Sequence, residues 1–335
     1  MVLFALFACS PTPTAPASVK DTAADPAAVD SGDTAADDTG PDDSGEPDDT
    51  GPVQEPVIAR FVALGDAGEG NDTQYRVADV IKTVCDAQGC DFALYLGDNF
   101  YDTGVEGPED DQFETKFELP YAELDFPFYV VLGNHDYGGD GAGYEFWKGD
   151  YQVEYTAYSD KWTLPNAFYS HELGELELFG LDTNTIFWGF GDEQAAWLPG
   201  ALATSDARWK IAFGHHCYLS NGQHGNAGEY EGFEWLPVAN GAAVEEFVDA
   251  NVCGQADVYF AGHDHLREWM GESCGTEFIV SGAGAKTTDL VGRGNTTEFE
   301  SDVAGFVWVE LRGDTATVQF WDENGNKDHE GSFTR

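Results

Sequence analysis

Three features of the sequence predict an α/β fold. From Pro56 onward, apolar runs of five to eight residues rich in Val, Phe and Tyr recur, and runs of that length and composition read as buried strands. Amphipathic stretches of helical period lie between some of them. Five of the runs stop at a glycine that is followed by Asp, Asn or His, and in α/β sheets the crevice at the carboxyl ends of strands is where ligands bind. The 42% apolar content of the 335 residues is ample for a core.

The first run, VIARFVAL at 57–64, leads to Gly65 and Asp66. TQYRVADVIKTV at 73–84 then sets Val77, Ala78, Ile81 and Val84 on one helical face. FALYL at 92–96 leads to Gly97, Asp98 and Asn99, with Tyr101 three positions beyond Asp98. FPFYVVL at 126–132 ends at Gly133, Asn134, His135 and Asp136, and a helical DEQAAWLPGALA at 192–203 precedes WKIAF, which ends at Gly214, His215 and His216. DVYFA at 257–261 leads to Gly262, His263, Asp264 and His265, and the strands EFIVSGAG, GFVWVEL and TATVQFW close the chain.

The folded domain is expected to span residues 56–335. Residues 10–55 repeat Asp-Asp-Thr/Ser-Gly units with Pro and bury too little to offset their ordering entropy, so they read as a disordered acidic spacer. The EF-hand order of calcium ligands is missing from them. Residues 1–9 are too short to span a bilayer. With an apolar run ending Leu6-Phe7-Ala8-Cys9, they resemble the end of a bacterial lipoprotein signal in which Cys9 carries the lipid. No other segment reaches the length of a membrane span. The expected location is therefore outside the cytoplasm, on the outer surface or in the periplasm as a lipoprotein, or secreted.

Net charge is −47; the first 55 residues hold twelve acids and one base, leaving −36 on the rest. Such a surface repels nucleic acid and anionic membranes, and argues against a polyanionic macromolecular substrate. None of Cys85, Cys90, Cys217, Cys253 and Cys274 has the C-x-x-C spacing of a zinc site. In an exported protein, Cys85 with Cys90 and Cys253 with Cys274 are candidate disulfides by proximity, with Cys217 left over; the connectivity stays open at the sequence level.

A Gly-Asp pair after a strand is ordinarily a turn, and a single histidine is ordinarily a core residue. Five such clusters at one end of a sheet point to a shared site instead. Asp66, Asp98, Tyr101, Asn134, His215, His263 and His265 offer carboxylate, phenolate, amide oxygen and imidazole, a set that suits two borderline-hard cations without any thiolate. His263 and His265, two apart, project to one side of an extended segment, and Asp98 is the natural carboxylate to bridge two ions. Two such cations lower the pKa of bound water and clamp phosphoryl oxygens, which is the chemistry of a two-metal hydrolase.

With GDAG (65–68), GDNFYDTGV (97–105), GNHD (133–136), GHH (214–216), QHG (223–225), GHDH (262–265) and SGAG (281–284), the sequence resembles the metallophosphoesterases, and among them the small, tartrate-resistant type of purple acid phosphatase. The resemblance runs from residue 57 to about 320. It implies a two-sheet β sandwich flanked by helices. It also implies a ferric ion on Asp66, Asp98, Tyr101 and His265, and a divalent iron, zinc or manganese on Asp98, Asn134, His215 and His263. His135 and His224 match the outer-sphere histidines that bind substrate and protonate the leaving group. The activity implied is hydrolysis of small phosphomonoesters by a monomer through a metal-bound hydroxide; the alternatives are a phosphodiesterase and a surface lipoprotein whose phosphatase-like domain only binds ligand. Two departures stand out: the family's GHYP reads GHHC here, so that His216 adjoins His215 and Cys217 replaces a proline, and Tyr137 follows GNHD where close relatives often carry histidine.

Overall fold

The computed structural model describes residues 55–232, 236 and 239–335. Cys9, the signal-like segment 1–9 and nearly all of the 10–55 spacer lie outside the described residues. In chain order the elements are β1 (Val57–Leu64), α1 (Asp72–Gln88), β2 (Phe92–Leu96), α2 (Asp111–Phe113), β3 (Phe128–Val131), α3 (Trp147–Tyr155), β4 (Trp162–Thr163), β5 (Tyr169–Leu173), β6 (Leu176–Gly180), α4 (Thr183–Phe187), α5 (Asp192–Thr204), β7 (Trp209–Phe213), α6 (Ala242–Asn251), β8 (Val258–Ala261), β9 (Arg267–Ser273), β10 (Thr276–Ser281), β11 (Phe299–Ser301), β12 (Gly305–Arg312), β13 (Thr315–Asp322) and β14 (Lys327–Thr334).

These strands form two sheets, ordered β14-β13-β12-β1-β2-β3-β4 and β11-β9-β10-β8-β7-β6-β5. Strands β1 to β4 run parallel, as do β6, β7, β8 and β10, while β12 is antiparallel to β1 and β9 to β10. The parallel strands β2, β3 and β8 are buried along their length, which is why they read as unbroken apolar runs. The sheets face each other across one core, where Phe61 of β1 meets Phe260 of β8 edge to face at 5.8 Å. Helix α1 turns the expected Val77, Ala78, Ile81 and Val84 inward, capped by Asn71, whose side chain accepts from the Gln74 amide. Helices α4, α5 and α6 cover the outer face of the second sheet with Leu198, Leu202, Val244, Phe247 and Val248. The fold is thus a two-sheet sandwich flanked by helices. No helix among the described residues is long and apolar enough to cross a membrane.

Parallel register brings the strand ends into line: Leu64 pairs with Tyr95, Tyr95 with Val130, Phe213 with Phe260 and Ala261 with Val280. The two sheets are stitched together at this end, where the Gly65 amide donates to Ser281 O at 2.7 Å and the Ser281 hydroxyl to Ala63 O at 2.7 Å. The glycines permit this approach. A Cβ on Gly97, whose φ is 87°, would lie 2.7 Å from His215 Nδ1, and one on Gly262 would lie 2.6 Å from Asp66 Oδ2.

Candidate metal centre

Seven side chains converge on the stitched end. Asp66 follows β1, Asp98 and Tyr101 follow β2, Asn134 follows β3, His215 follows β7, and His263 and His265 follow β8. Asp66, Asp98 and His263 adopt φ of 55°, 53° and 70°, the left-handed region that costs a non-glycine residue about 1 kcal/mol or more. Hydrogen bonds hold them there: the Asp66 amide donates to Gly97 O at 3.0 Å and the His263 amide to Asp66 Oδ2 at 2.9 Å.

The donor atoms form two groups that share Asp98. In the first, the Tyr101 hydroxyl lies 2.9 Å from Asp66 Oδ1, 2.9 Å from Asp98 Oδ2 and 3.3 Å from His265 Nε2. In the second, His215 Nε2 lies 3.0 Å from Asn134 Oδ1, 3.2 Å from His263 Nδ1 and 3.5 Å from Asp98 Oδ1. Asp98 thus directs one oxygen to each group.

The residues fit a pair of cations. One hydroxyl proton on Tyr101 cannot serve two carboxylates and an imidazole at once. His215 Nδ1 is set against the Leu96 carbonyl at 2.9 Å, which assigns its proton there and leaves Nε2 as a lone pair facing the Asn134 and Asp98 oxygens. Lone pairs facing lone pairs at this spacing call for positive charge between them. Burial, then the carboxylates of Asp66 and Asp98, push the Tyr101 phenol well up, so a phenolate there requires a compensating cation. Burial alone would raise the Asp98 carboxyl, but the hydrogen bonds from the His135 amide and the Tyr101 hydroxyl lower it. Burial and the surrounding histidines pull His263 down, which keeps its imidazole neutral and able to ligate.

His135 and His224 flank the two groups. The His135 amide donates to Asp98 Oδ1 at 2.9 Å, its Nδ1 meets Asp102 O at 2.6 Å, and its ring lies 4.5 Å from that of Tyr101. His224 stacks on His263 at 3.9 Å and pairs through Nδ1 with Glu231 Oε1 at 2.5 Å. Burial disfavours its charged form, yet the Glu231 hydrogen bond and the Asp264 carboxylate prevail and raise it. His216, beside the candidate ligand, is turned away: its Nδ1 meets Thr183 Oγ1 at 2.9 Å and its ring stacks on Phe187. Cys217 is a buried free thiol that donates to Gly262 O at 2.9 Å, while Cys85–Cys90 and Cys253–Cys274 are disulfides. Tyr137 donates to Asp182 Oδ2 at 2.7 Å rather than reaching the site.

Several residues that organise the site were not among the candidate site residues of the sequence. Asp136 is buried and accepts from the amides of Gly133, Asn99 and Phe100 and from Gln152 Nε2, all within 3.1 Å, so that it ties the β2 and β3 loops together. Asp264 accepts from the amides of His224 and Gly225 at 2.8 and 3.0 Å and so places the His224 loop. Thr183, after β6, accepts from the amides of His215 and His216 at 3.1 and 3.0 Å. The signal for it was present in LELFGLDTN, a sixth apolar run leading into Gly, Asp, Thr and Asn. Asn184 of the same loop lines a cavity of about 160 Å³ with Asn134, His216, His224, Tyr230 and His263, and its Oδ1 is buried without a partner.

A two-sheet sandwich that gathers Asp, Tyr, Asn and His from the carboxyl ends of both sheets is a frame for two-metal phosphoester chemistry. The chain belongs to the calcineurin-like phosphoesterase family, whose profile matches residues 59–267. Among curated proteins it is similar to purple acid phosphatase 3 of Arabidopsis thaliana, 30% identical over 299 residues that cover 80% of this chain and 76% of that one. It is also similar to tartrate-resistant acid phosphatase type 5 of Sus scrofa, 26% identical over 308 residues covering 80% and 84%. Among solved structures, the Plasmodium protein GAP50, the anchor in the inner membrane complex, superposes with a TM-score of 0.64 at 21% identity, covering 82% of this chain and 88% of that one. The purple acid phosphatase PPD1 of yellow lupin gives 0.61 at 18%, covering 84% and 54%. The protein is a phosphatase of this family, a hydrolase of phosphate esters whose family implies a dinuclear metal centre.

Proposed function

We infer that the protein is an exported acid phosphatase that hydrolyses small phosphomonoesters with an iron(III)–divalent centre. The observation that carries this reading is the approach of the Tyr101 hydroxyl to Asp66 and Asp98 at 2.9 Å and to His265 at 3.3 Å, an oxygen-rich set with a phenol at its centre that favours a ferric ion. Asp66, Asp98, Tyr101 and His265 would hold that ion; Asp98, Asn134, His215 and His263 would hold the divalent iron, zinc or manganese. When bound, the pair supplies a water of lowered pKa and neutralises charge on the phosphoryl oxygens.

The chain's own groups do the rest. His135, fixed by its amide on Asp98 and its Nδ1 on Asp102, is placed to give a proton to the departing alkoxide. His224, held by Glu231 and charged more readily than an isolated imidazole, supplies a cationic donor to the phosphate. Export is supported by the two disulfides, which persist in oxidising compartments. In this reading residues 1–9 end a lipoprotein signal, 10–55 are a spacer and 56–335 are the catalytic domain.

The test is metal analysis, an absorption spectrum and turnover on one preparation. Iron-loaded, oxidised protein should be purple or pink through charge transfer from the Tyr101 ring, and Tyr101→Phe should abolish the colour while Asp66, Asp98 and His265 retain iron more weakly. A coloured Tyr101→Phe variant, or active iron-loaded wild type without colour, would remove Tyr101 from the ligand set. Comparison of p-nitrophenyl phosphate with its bis ester separates monoesterase from diesterase. A binding-only role, suggested by the anchoring function of the Plasmodium neighbour, would appear as metal uptake without turnover on either.

A further inference from the structure

The Tyr101 ring has a cation against it that no part of the metal reading uses. The Lys286 Nζ lies 3.2 Å from the ring centroid and is anchored at 2.9 Å by Glu69 Oε1. The segment that carries it is pinned on both sides. Asn71 Nδ2 donates to Ala285 O at 3.0 Å, the Gly284 amide to Gly65 O at 3.0 Å, and the Thr288 amide to the carbonyl of His265 at 3.1 Å. A second ammonium, Lys116 Nζ, donates to the Tyr101 carbonyl. Two of the fourteen bases that follow residue 55 therefore meet at one tyrosine, in a domain of net charge −36. A cation over the face of a neutral tyrosine is already attracted by the ring quadrupole, and the attraction grows when the ring carries the charge of a phenolate.

Resting on the reading of Tyr101 as an iron(III) ligand, we propose that Lys286 is a positioning residue that tunes Tyr101: its ammonium stabilises the electron density of the phenolate ring and thereby sets the energy of the tyrosine–iron charge-transfer transition. The sign follows from Coulomb's law. The transition moves electron density out of the ring, away from the Lys286 charge, so the ammonium raises its energy. Removing that charge lowers the energy and moves the absorption to longer wavelength. The side chains of Lys286 and Glu69 are 28% and 27% exposed, so water screens part of the effect and the displacement is smaller than that of a dry site.

The experiment is the visible spectrum of the iron-loaded full chain with Lys286→Met, which keeps the apolar stem and deletes the charge, and with Lys286→Arg, which keeps the charge. The inference expects a red shift in Lys286→Met at unchanged iron content per chain, with Lys286→Arg near the wild-type maximum. Glu69→Gln, which loosens the anchor, should move the band less than Lys286→Met. A coloured wild type whose maximum stays put in Lys286→Met would overturn the tuning role alone. Loss of iron from Lys286→Met with an unmoved band on the iron that remains would also overturn it and leave a packing role. An iron-loaded wild type without colour would sink Tyr101 ligation itself, and this inference with it.

Discussion

His135 and His224 flank the same centre with opposite surroundings, and this divides the work between them. His224 is paired through Nδ1 with Glu231 at 2.5 Å, which raises the ring and makes its imidazolium the weaker acid. His135 offers Nδ1 to a neutral carbonyl, that of Asp102, which leaves the Nε2 proton of its charged form free of a carboxylate. The general acid is therefore expected to be His135. His135→Ala should cost about 10² to 10⁴ in kcat on alkyl phosphates, where the alkoxide needs a proton, and much less on p-nitrophenyl phosphate, whose phenolate leaves without one. Iron content should not change, since His135 reaches Asp98 only through its amide. Equal losses on both substrates would assign the role to positioning instead. Five of the seven candidate donors, Asp66, Asp98, Asn134, His215 and His263, were visible in the sequence because each directly follows a glycine that ends an apolar strand, while Tyr101 and His265 stand a few residues further along the same loops. The roles of Asp136 and Asp264 were not visible, because a carboxylate inside a motif carries no sign of which amides it will accept from. Only the structure shows that their oxygens are spent on loop amides.

At the scale of elements, the strands that build the site were legible, as were the closing strands β10, β12 and β13, while β9 and β14 were not. Buried parallel strands such as β2 and β8 are continuous apolar runs. The edge strand β14, KDHEGSFT, is mostly exposed and carries no apolar pattern to read. Strand β9 was equally hidden, because it buries Arg267 and Glu268 among its apolar residues. Glu268 matters to the site through the loop that bears His224: it accepts from Ser220 Oγ at 2.9 Å and from the Asn221 amide at 3.0 Å. Burial chiefly, with Asp264 and Glu300 nearby, raises its carboxyl to about 8 against those hydrogen bonds. The raised value fixes the sign of a pH effect. The folded state binds the proton more tightly than the unfolded chain, so the stability this group contributes is complete below about pH 4.5 and is lost as pH rises to about 8. Glu268→Gln keeps a neutral acceptor and abolishes that loss. The difference in thermal midpoint, variant minus wild type at equal metal content, should be small at pH 5 and grow positive by pH 8, corresponding to on the order of 3 kcal/mol. A constant difference across that range would mean that Glu268 is ionised in the fold.

On the scale of the whole molecule, the negative charge has to be reconciled with an anionic substrate. The chain carries −47, of which −36 lies beyond residue 55, so the long-range field opposes the approach of a phosphate ester while two cations at the centre would reverse it only at close range. The 10–55 spacer adds a net charge of −11 without adding any candidate ligand or much apolar surface. Its proposed role is mechanical: if Cys9 carries a lipid, the spacer would hold the catalytic domain away from the membrane. Two measurements check this. A chain starting at Gln54 should keep kcat, because no catalytic group is lost, and at low salt its kcat/KM should equal or exceed that of the full chain, because repulsion of substrate is reduced; the gap should close as salt screens it beyond a Debye length of about 10 Å at 0.1 M. Cys9→Ala should move the full chain from the membrane fraction to the soluble one with kcat unchanged. A large fall in kcat on truncation would mean that the spacer docks on the domain, and unchanged fractionation of Cys9→Ala would remove the lipid from the account.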